Sequence, residues 1–460
     1  MEPYKNNFII PQTSYSLNIL IIGAGIAGLT SAIGLSLSGH HVRIYEQASQ
    51  ITEVGAGIQI APNAARILRR FGLLDRVMEK ANVLKRNSLR RWEDGRELAV
   101  VEFGEKIEEK YHAPLAVIHR ADLQSILLQA VENLGVQIHL SSKIISADPS
   151  FAARLQLESK EWISGDIVIC AGGIKSSIRR QTLSAHGIED QSYPTGDAAY
   201  RVLIPEHRMV NDPQALELLA SNIGMRWMGP GGHIMAYPIK NNTVYNMVLL
   251  HPSKPSTSTH SQTESWTTKG DKREMMDFYK DWNPLVQNLL SYVPDGEVIE
   301  WTLNSHPPLE RWVEGRCVLV GDACHPMLPY VAQGAAQAIE DAGVLTCALS
   351  LISSSSPSDI ESALKIYELI RKDRGEKIQS SAAVTRKALH LPDGPEQEKR
   401  DEAIWASSNG GNGRNPDLWA DSKWQDFMWS VDVMKDCVDN WEKWIAKAQG
   451  HHLDGLKATL

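Results

Sequence analysis

The chain has few cysteines and no marked excess of one charge. Its five cysteines are odd in number and scattered over 460 residues, and no C-x-x-C pair occurs. A disulfide framework, a zinc site of that spacing and dithiol redox chemistry are therefore not expected. The formal net charge of −8, with acidic and basic residues interspersed, leaves no basic surface for nucleic acid. With 43% hydrophobic and 22% charged residues, the composition is that of a globular protein rather than a disordered, collagen-like or coiled-coil chain.

The chain also lacks a convincing signal peptide or membrane-spanning segment. Residues 1–16 have neither a basic start nor a continuous apolar stretch. The most apolar stretch, residues 17–37, is interrupted by glycines and serines, whereas a bilayer span needs about 20 mostly apolar residues. We therefore expect a cytoplasmic protein with no membrane partner.

Short apolar runs that end in glycines predict one parallel sheet assembled from distant segments. Such runs are typical of strands buried on both faces. Helical spacing of apolar residues follows the first predicted strand and precedes the third. The predicted strands occupy residues 18–22, 42–45, 136–140, 166–170 and 317–320, and the predicted helices occupy residues 27–38 and 122–134.

A different pattern separates these segments. Residues 190–305 alternate as antiparallel strands do, and the polar tract 253–269 predicts a surface loop. After residue 342 the sequence predicts helices with interruptions at 353–358 and 409–414. Apolar residues from Trp424 to Met434 predict one face of a packed helix. The antiparallel strands are predicted at residues 198–204, 233–238 and 244–250.

The first glycine-rich turn, G-A-G-I-A-G, has the spacing of a dinucleotide-binding fingerprint. Gly23 permits the tight turn, Gly25 lets a pyrophosphate approach the backbone, and Gly28 lets the helix pack close to the strand. The start of that helix, around Ala27, offers free N–H groups and partial positive charge to phosphates. Glu46 ends the next strand, where a carboxylate accepts ribose hydroxyls, so the cofactor is FAD or NAD rather than NADP.

A second glycine turn resembles a flavin-binding motif. Residues 316–342 read RCVLVGDACHPMLPYVAQGAAQAIEDA, a strand followed by Gly321-Asp322 and then by small residues that lead into a helix. Together with the fingerprint and Arg120-Ala121-Asp122-Leu123, this resembles the group A FAD-dependent aromatic monooxygenases over nearly the whole chain. Within that family the chain is most similar to fungal salicylate hydroxylase-like enzymes, which are related to 3-hydroxybenzoate 6-hydroxylase. Those enzymes favour the turn P-Y-V-A-Q-G-A-A, whereas the wider family more often has glycine at 332 and asparagine at 336.

The resemblance implies a role for each motif residue at the flavin. Asp322 would accept hydrogen bonds from the ribityl hydroxyls, the alternative being a structural turn residue. Backbone N–H groups from Gln333 to Ala335 would stabilise negative charge on the reduced flavin. His325 has no partner ligand at zinc spacing, so no metal site is expected. The residues assigned to FAD are Gly23, Gly25, Ala27, Gly28, Glu46, Gln47, Gly57, Arg120, Asp322, Pro329, Gln333, Gly334 and Ala335.

The third glycine turn departs from the family pattern at one position. Asp166, Ser176 and Arg179 match the pattern, but Gly172 replaces the expected aspartate. In the family this segment is associated with both flavin and pyridine nucleotide, so the departure bears on how NAD(P)H is handled.

His233 and Tyr237 are the candidate catalytic residues. Positions four apart on a strand face the same side, so both side chains can address one pocket. The H-x-x-x-Y-P segment resembles one that salicylate hydroxylase relatives place over the flavin. A histidine base there would form a phenolate, while the alternative is a structural hydrogen bond. Arg201 would pair with a substrate carboxylate or brace the domain, and Tyr330 is the other predicted substrate contact.

The resemblance implies an α/β fold with a Rossmann-type FAD-binding domain, a smaller α+β substrate domain and a helical C-terminal extension. The expected bounds are 1–190 and 306–375 for the FAD-binding domain, 191–305 for the substrate domain and 376–460 for the extension.

The implied activity is hydroxylation of a phenolic or hydroxybenzoate-type ring with NAD(P)H and O2, through a C4a-hydroperoxyflavin and with or without decarboxylation. The expected partners are a small aromatic substrate, O2 and NAD(P)H, and the expected state is a monomer or homodimer. One alternative is a larger alkaloid or polyketide substrate of secondary metabolism. The other is a flavin-fold binding protein without catalysis, such as the Rab GDP-dissociation inhibitors.

Overall fold

The computed structural model describes residues 8–52, 55–253, 268–411 and 413–450. The strands are β1 Asn18–Ile22, β2 His41–Tyr45, β3 Gly57–Ile60, β4 Asn82–Val83, β5 Arg86–Arg91, β6 Glu97–Glu102, β7 Ala116–His119, β8 Gln137–His139, β9 Ile144–Ala147, β10 Arg154–Leu157, β11 Trp162–Ser164, β12 Ile167–Cys170, β13 Tyr193–Pro205, β14 Ile223–Gly229, β15 Gly232–Ile239, β16 Val244–Pro252, β17 Thr268–Lys269, β18 Ile299–Ser305, β19 Val313–Glu314 and β20 Cys317–Leu319. The helices are α1 Ile26–Leu37, α2 Pro62–Arg70, α3 Leu74–Lys80, α4 Glu105–Tyr111, α5 Arg120–Asn133, α6 Ser177–Ala185, α7 Pro213–Ser221, α8 Lys272–Phe278, α9 Pro284–Ser291, α10 Gly334–Ser350, α11 Pro357–Leu389, α12 Pro395–Ser408, α13 Ser422–Trp429, α14 Val433–Asp439 and α15 Trp441–Ala448.

The first sheet joins segments that lie far apart in the sequence, as predicted. Its order is β19-β20-β12-β1-β2-β8, and every neighbouring pair from β20 to β8 is parallel. Ile19 pairs with Ile167 on one side and with Val42 on the other. Because the strands run the same way, the glycine turns after β1, β12 and β20 meet at one edge of the sheet.

The second sheet has eight strands in the order β17-β18-β13-β16-β15-β14-β5-β6. The predicted antiparallel strands between residues 190 and 305 are confirmed as β13, β15 and β16. However, β5 and β6 come from earlier in the chain, and β5 pairs parallel to β14. The predicted loop at 253–269 lies mostly outside the described residues.

The described chain after residue 342 is helical, as predicted, with additional breaks. The predicted interruptions follow α10 and α12, and a further break separates α11 from α12. The predicted single helix around Trp424 to Met434 is wrong, because α13 ends at Trp429 and α14 begins at Val433. Asp432 starts the second helix by accepting a hydrogen bond from the backbone N–H of Lys435.

Among the described residues, none of the helices combines the length and the apolarity that crossing a membrane requires.

Candidate active site

A cavity lies between the glycine turns of the first sheet and one face of the second sheet. The turn residues supply one side, and side chains from β13, β14, β15, β16 and β18 supply the other. The cavity therefore brings together the three motifs that the sequence separates by about 150 residues each.

The first turn is shaped by contacts that exclude side chains at two of its three glycines. Gly23 adopts φ +95°, and a Cβ there would lie 2.6 Å from the carbonyl oxygen of Ala171. A Cβ on Gly28 would lie 2.0 Å from the carbonyl oxygen of Gly23, so this glycine sets how closely α1 approaches β1. Gly25 differs, because a Cβ there meets no heavy atom within 4 Å. The open space at Gly25, at the start of α1, fits a pyrophosphate.

Glu46 lies beside this turn. One carboxylate oxygen accepts a hydrogen bond from the backbone N–H of Ala24 at 2.8 Å, and the other from Ala48 at 2.9 Å. These bonds hold the carboxylate next to the fingerprint, where the sequence predicts ribose binding. The neighbouring Gln47 has an exposed side chain, and neither residue lines the cavity itself.

Asp322 and Arg120 face the cavity together. Asp322 belongs to the turn after β20, and Arg120 is the first residue of α5. Asp322 is open to the cavity but otherwise surrounded by protein, which raises the pKa of its carboxyl, while the positive charge of Arg120 acts in the opposite direction. A carboxylate and a guanidinium side by side can bind hydroxyl and phosphate groups of one extended ligand.

The turn before α10 is held by side-chain amides. The Gln333 side-chain oxygen accepts hydrogen bonds from the amides of Asn63 and Gln337, each at 3.1 Å. Ala332 adopts the left-handed conformation at φ +51°, which accounts for glycine being suitable at this position in related sequences. A Cβ on Gly334 would meet no heavy atom within 4 Å, so the backbone at the start of α10 is open toward the cavity. Pro329 and Ala335 also line it.

His233 and Tyr237 both lie on β15 and both line the cavity. His233 is 2% exposed, and its Nδ1 lies 2.8 Å from Nε2 of His390. Burial, and then the charges of His390 and Arg226, hold the pKa of His233 well below its ordinary value. The Tyr237 ring packs against Gly57, where a Cβ would approach the ring to 2.5 Å. Burial raises the pKa of Tyr237 to about 12.

The two predicted substrate residues have different surroundings. Arg201 lines the cavity with its guanidinium carbon 4.0 Å from the centre of the Trp301 ring. Tyr330, in contrast, is fully buried outside the cavity lining, and its hydroxyl donates a hydrogen bond to Asp197. The role of Tyr330 as a substrate contact stays a prediction, and its side-chain hydroxyl is engaged with the buried carboxylate of Asp197.

Sequence reasoning missed three residues at the substrate end. Arg226 lines the cavity, is paired with the fully buried Asp417, and lies 4.7 Å from the ring of Trp419. Trp419 also lines the cavity, and His390 contacts His233. Two of the three come from the C-terminal extension, and no motif surrounds any of them, so the sequence carries no signal for their placement.

Cys324, His325 and Asp341 form the one group of potential metal ligands found in the part of the chain that the structure describes. Asp341 already accepts hydrogen bonds from His325 at 2.6 Å, Arg371 at 2.9 Å and the backbone N–H of Gly321 at 2.9 Å. This cluster is therefore a hydrogen-bonded, charge-balanced core element behind the Asp322 turn.

Comparison with known proteins gives a consistent result. A family model described as an FAD binding domain matches residues 16–382. The chain is 36% identical to FAD-dependent monooxygenase OpS4 of Beauveria bassiana (strain ARSEF 2860), over 84% of this chain and 89% of the relative. It is 32% identical to 3-hydroxybenzoate 6-hydroxylase 1 of Aquipseudomonas alcaligenes, over 84% of this chain and 93% of the relative.

The fold also matches a solved structure. A salicylate hydroxylase substrate complex superimposes with a TM-score of 0.73 at 23% identity, over 97% of this chain and all of the other. The glycine turns, the open backbone at Gly25 and Gly334, and the Asp322–Arg120 pair fit FAD.

Proposed function

The chain belongs to the FAD binding domain family as an FAD-dependent monooxygenase of the aromatic hydroxylase type, and we propose that it hydroxylates a phenolic or hydroxybenzoate-type ring using NAD(P)H and O2. The observation that supports this substrate class is the continuity of the cavity. It runs from the FAD-binding turns to a pocket that holds His233, Tyr237 and Arg201. Bound FAD supplies electron transfer from the nicotinamide and activation of dioxygen.

His233 is proposed as the base that removes the phenol proton. Its lowered pKa means that the imidazole is neutral at physiological pH, so a ring nitrogen is available to accept a proton. Electron density on the ring rises when the phenol becomes a phenolate, which favours attack on an electrophilic oxygen. Tyr237, whose raised pKa keeps its hydroxyl protonated, can donate a hydrogen bond to the substrate oxygen.

The charges at the substrate end suit an anion. Arg226, which is paired with Asp417, and Arg201 both line the cavity. A guanidinium that lines the pocket can pair with a carboxylate or phenolate of the substrate. The stacking of Arg201 on Trp301 fixes the direction of the guanidinium.

Apolar side chains also line the cavity. Met235, Val248, Leu250 and Trp419 are among them. Their role in the proposed reaction is to keep water away while oxygen is transferred, because water would divert the activated oxygen to H2O2.

The test is oxidation of NADH and NADPH by the FAD-loaded protein, with and without a panel of hydroxybenzoates, with products identified by mass spectrometry. We expect one or more ring acids to stimulate oxidation and to yield a product heavier by one oxygen, or by one oxygen with loss of CO2. His233→Ala is expected to slow product formation while FAD stays bound. Bound FAD with no stimulation by any phenolic acid would contradict the proposed substrate class.

A further inference from the structure

A chain of three polar side chains runs from the cavity into the protein behind it. His233 lines the cavity on β15, His390 follows the last turn of α11, and Asp197 lies on β13. Nδ1 of His233 lies 2.8 Å from Nε2 of His390, and Nδ1 of His390 lies 3.7 Å from a carboxylate oxygen of Asp197. All three side chains are at most 8% exposed. Among the two histidine rings in this row of side chains, every ring nitrogen has a polar neighbour within the row except Nε2 of His233.

Asp197 has two further hydrogen-bonding partners. The Tyr330 hydroxyl donates to one of its oxygens, and the Arg386 guanidinium donates through Nε and Nη2 to both. The buried carboxylate therefore lies beside His390 and is paired with the Arg386 guanidinium. At 3.7 Å the contact between Asp197 and His390 is longer than a hydrogen bond, but the nearby carboxylate favours the tautomer with the proton on Nδ1 of His390, which leaves its Nε2 as an acceptor.

The acceptor on His390 determines which nitrogen of His233 carries hydrogen. Nε2 of His390 can pair with Nδ1 of His233 only if that Nδ1 is the donor. The neutral His233 ring then has an unprotonated Nε2. Among the described residues Nε2 has no hydrogen-bond partner, and His233 lines the cavity, so this nitrogen is left for the substrate.

We propose that Asp197, acting through His390, fixes the tautomer of His233 so that Nε2 is a free acceptor for the substrate hydroxyl proton. His390 and Asp197 are positioning residues in this arrangement, which rests on the proposed function of His233. In the step itself the phenol O–H bond breaks and the Nε2–H bond forms, giving a phenolate and an imidazolium. The Nδ1 proton of that imidazolium already faces His390, so the positive charge is placed on the side of Asp197.

Burial, assisted by nearby positive charges, lowers the pKa of both histidines and keeps both rings neutral before substrate binds. Arg226 on β14 faces His233, and the Tyr330 ring packs 5.5 Å from it. Burial lowers the pKa of His390 to about 4, with Asp197 raising it and Arg386 lowering it further. If either ring were permanently protonated, both of its nitrogens would be donors, and Nε2 of His233 would no longer be an acceptor for the substrate proton.

The tautomer can be measured directly by nitrogen NMR of FAD-loaded protein with isotope-labelled histidine, using His233→Gln to assign the signals. We expect a protonated Nδ1 and an unprotonated Nε2 on His233. His390→Phe should convert this ring to a mixture of tautomers, and His390→Gln should preserve it because the glutamine oxygen still accepts from Nδ1. A matched control is His251→Gln, a buried histidine on β16 outside the cavity lining, which should leave the His233 signals unchanged. A protonated Nε2 in the wild-type protein, or no change in His390→Phe, would overturn the proposal.

The functional consequence is tested by the absorbance of a bound phenol as pH is raised. In His390→Phe the bound phenol should ionise at higher pH, and kcat should fall by about 10- to 100-fold with a smaller change in KM. His390→Gln should recover most of this loss. If the tautomer is as expected but the phenol bound to His390→Phe ionises at the same pH as in the wild type, the positioning role of His390 is wrong and the proposed function stands. If the tautomer is as expected and no phenol is converted, the proposed function fails and the tautomer assignment stands.

Discussion

Gly25 and Gly28 are three positions apart in one turn, yet a side chain would meet opposite surroundings at the two positions. The space beside Gly25 is open, whereas the space beside Gly28 is filled by the backbone of Gly23. At the residue scale this contrast separates a glycine that serves the ligand from a glycine that serves the fold. The fingerprint predicts both glycines from their spacing, but only the structure distinguishes their roles.

The contrast leads to a paired prediction. Gly25→Ala should leave the thermal unfolding of the FAD-free protein nearly unchanged, since its backbone is extended and its Cβ meets nothing. The same variant should bind FAD more weakly, because the methyl group takes space that the pyrophosphate needs. Gly28→Ala should lower the free energy of unfolding by about 1–3 kcal/mol, because α1 must move away from β1. Calorimetry and FAD titration measure both effects, and unchanged FAD affinity in Gly25→Ala would contradict the assignment.

Asp322 gives a second prediction at the residue scale. Asp322→Ala should reduce the fraction of protein that retains FAD, because the ribityl hydroxyls lose their acceptor. Asp322→Asn, which keeps an acceptor oxygen, should retain more. Asp277→Ala is a suitable control, since this aspartate lies on α8 with an exposed side chain paired to Lys280. Flavin absorbance after gel filtration measures occupancy, and full occupancy in Asp322→Ala would remove Asp322 from the site.

Helices α10 and α11 are joined by buried charges, and this element-scale feature supports the FAD-binding turns. Arg371 donates to Glu340 and Asp341, and Arg374 donates to Glu340. Asp341 in turn holds the backbone of Gly321, next to Asp322. Burial alone would raise the pKa of Glu340, but Arg374 and Arg371 outweigh burial and lower it. The pKa of Asp341 is lowered in the same way, because His325 and Arg371 outweigh the effect of its burial.

Removing the central cation should therefore be costly. Arg371→Met should lower the free energy of unfolding by about 3–5 kcal/mol, since two buried carboxylates lose their partner. Lys372→Met on the same helix breaks only a half-buried i,i+4 pair and should cost under about 1 kcal/mol.

In the wild-type protein the stabilisation from Glu340 and Asp341 is present above their unfolded pKa of about 4 and is lost as pH falls through their lower folded values. Thermal unfolding measured from neutral pH to below about pH 4 should show this loss of stability in the wild type and a smaller loss in Arg371→Met. Equal loss of stability in both proteins would contradict the assigned role of Arg371.

How much the sequence predicts also depends on scale. Strands and turns are local patterns, so β1, β12, β20 and their glycine turns are predicted correctly. The pairing of β5 with β14 joins residues more than 130 positions apart, and no local pattern records it. The division into domains at residues 190, 305 and 375 stays a prediction, and we propose that β5 and β6 belong with the substrate domain.

At the scale of the whole molecule, the C-terminal extension returns to a cavity that is otherwise lined by residues before 340. Asp417 and Trp419 reach Arg226, and His390 reaches His233. These contacts depend on how α11 to α13 fold back over the second sheet, which composition and periodicity do not encode. Tyr330 is adjacent in sequence to residues of the FAD motif, yet its hydroxyl donates a hydrogen bond to Asp197 on the second sheet. Composition and periodicity do not encode this direction either.

The most direct test of the central claim is the fate of dioxygen in the reaction of FAD-loaded protein with NAD(P)H and a stimulating hydroxybenzoate. With heavy-isotope dioxygen, the account predicts one labelled oxygen atom in the aromatic product for each NAD(P)H oxidised productively, measured by mass spectrometry. Consumption of NAD(P)H with all of the label in H2O2 and none in an aromatic product, across the whole panel, would contradict it.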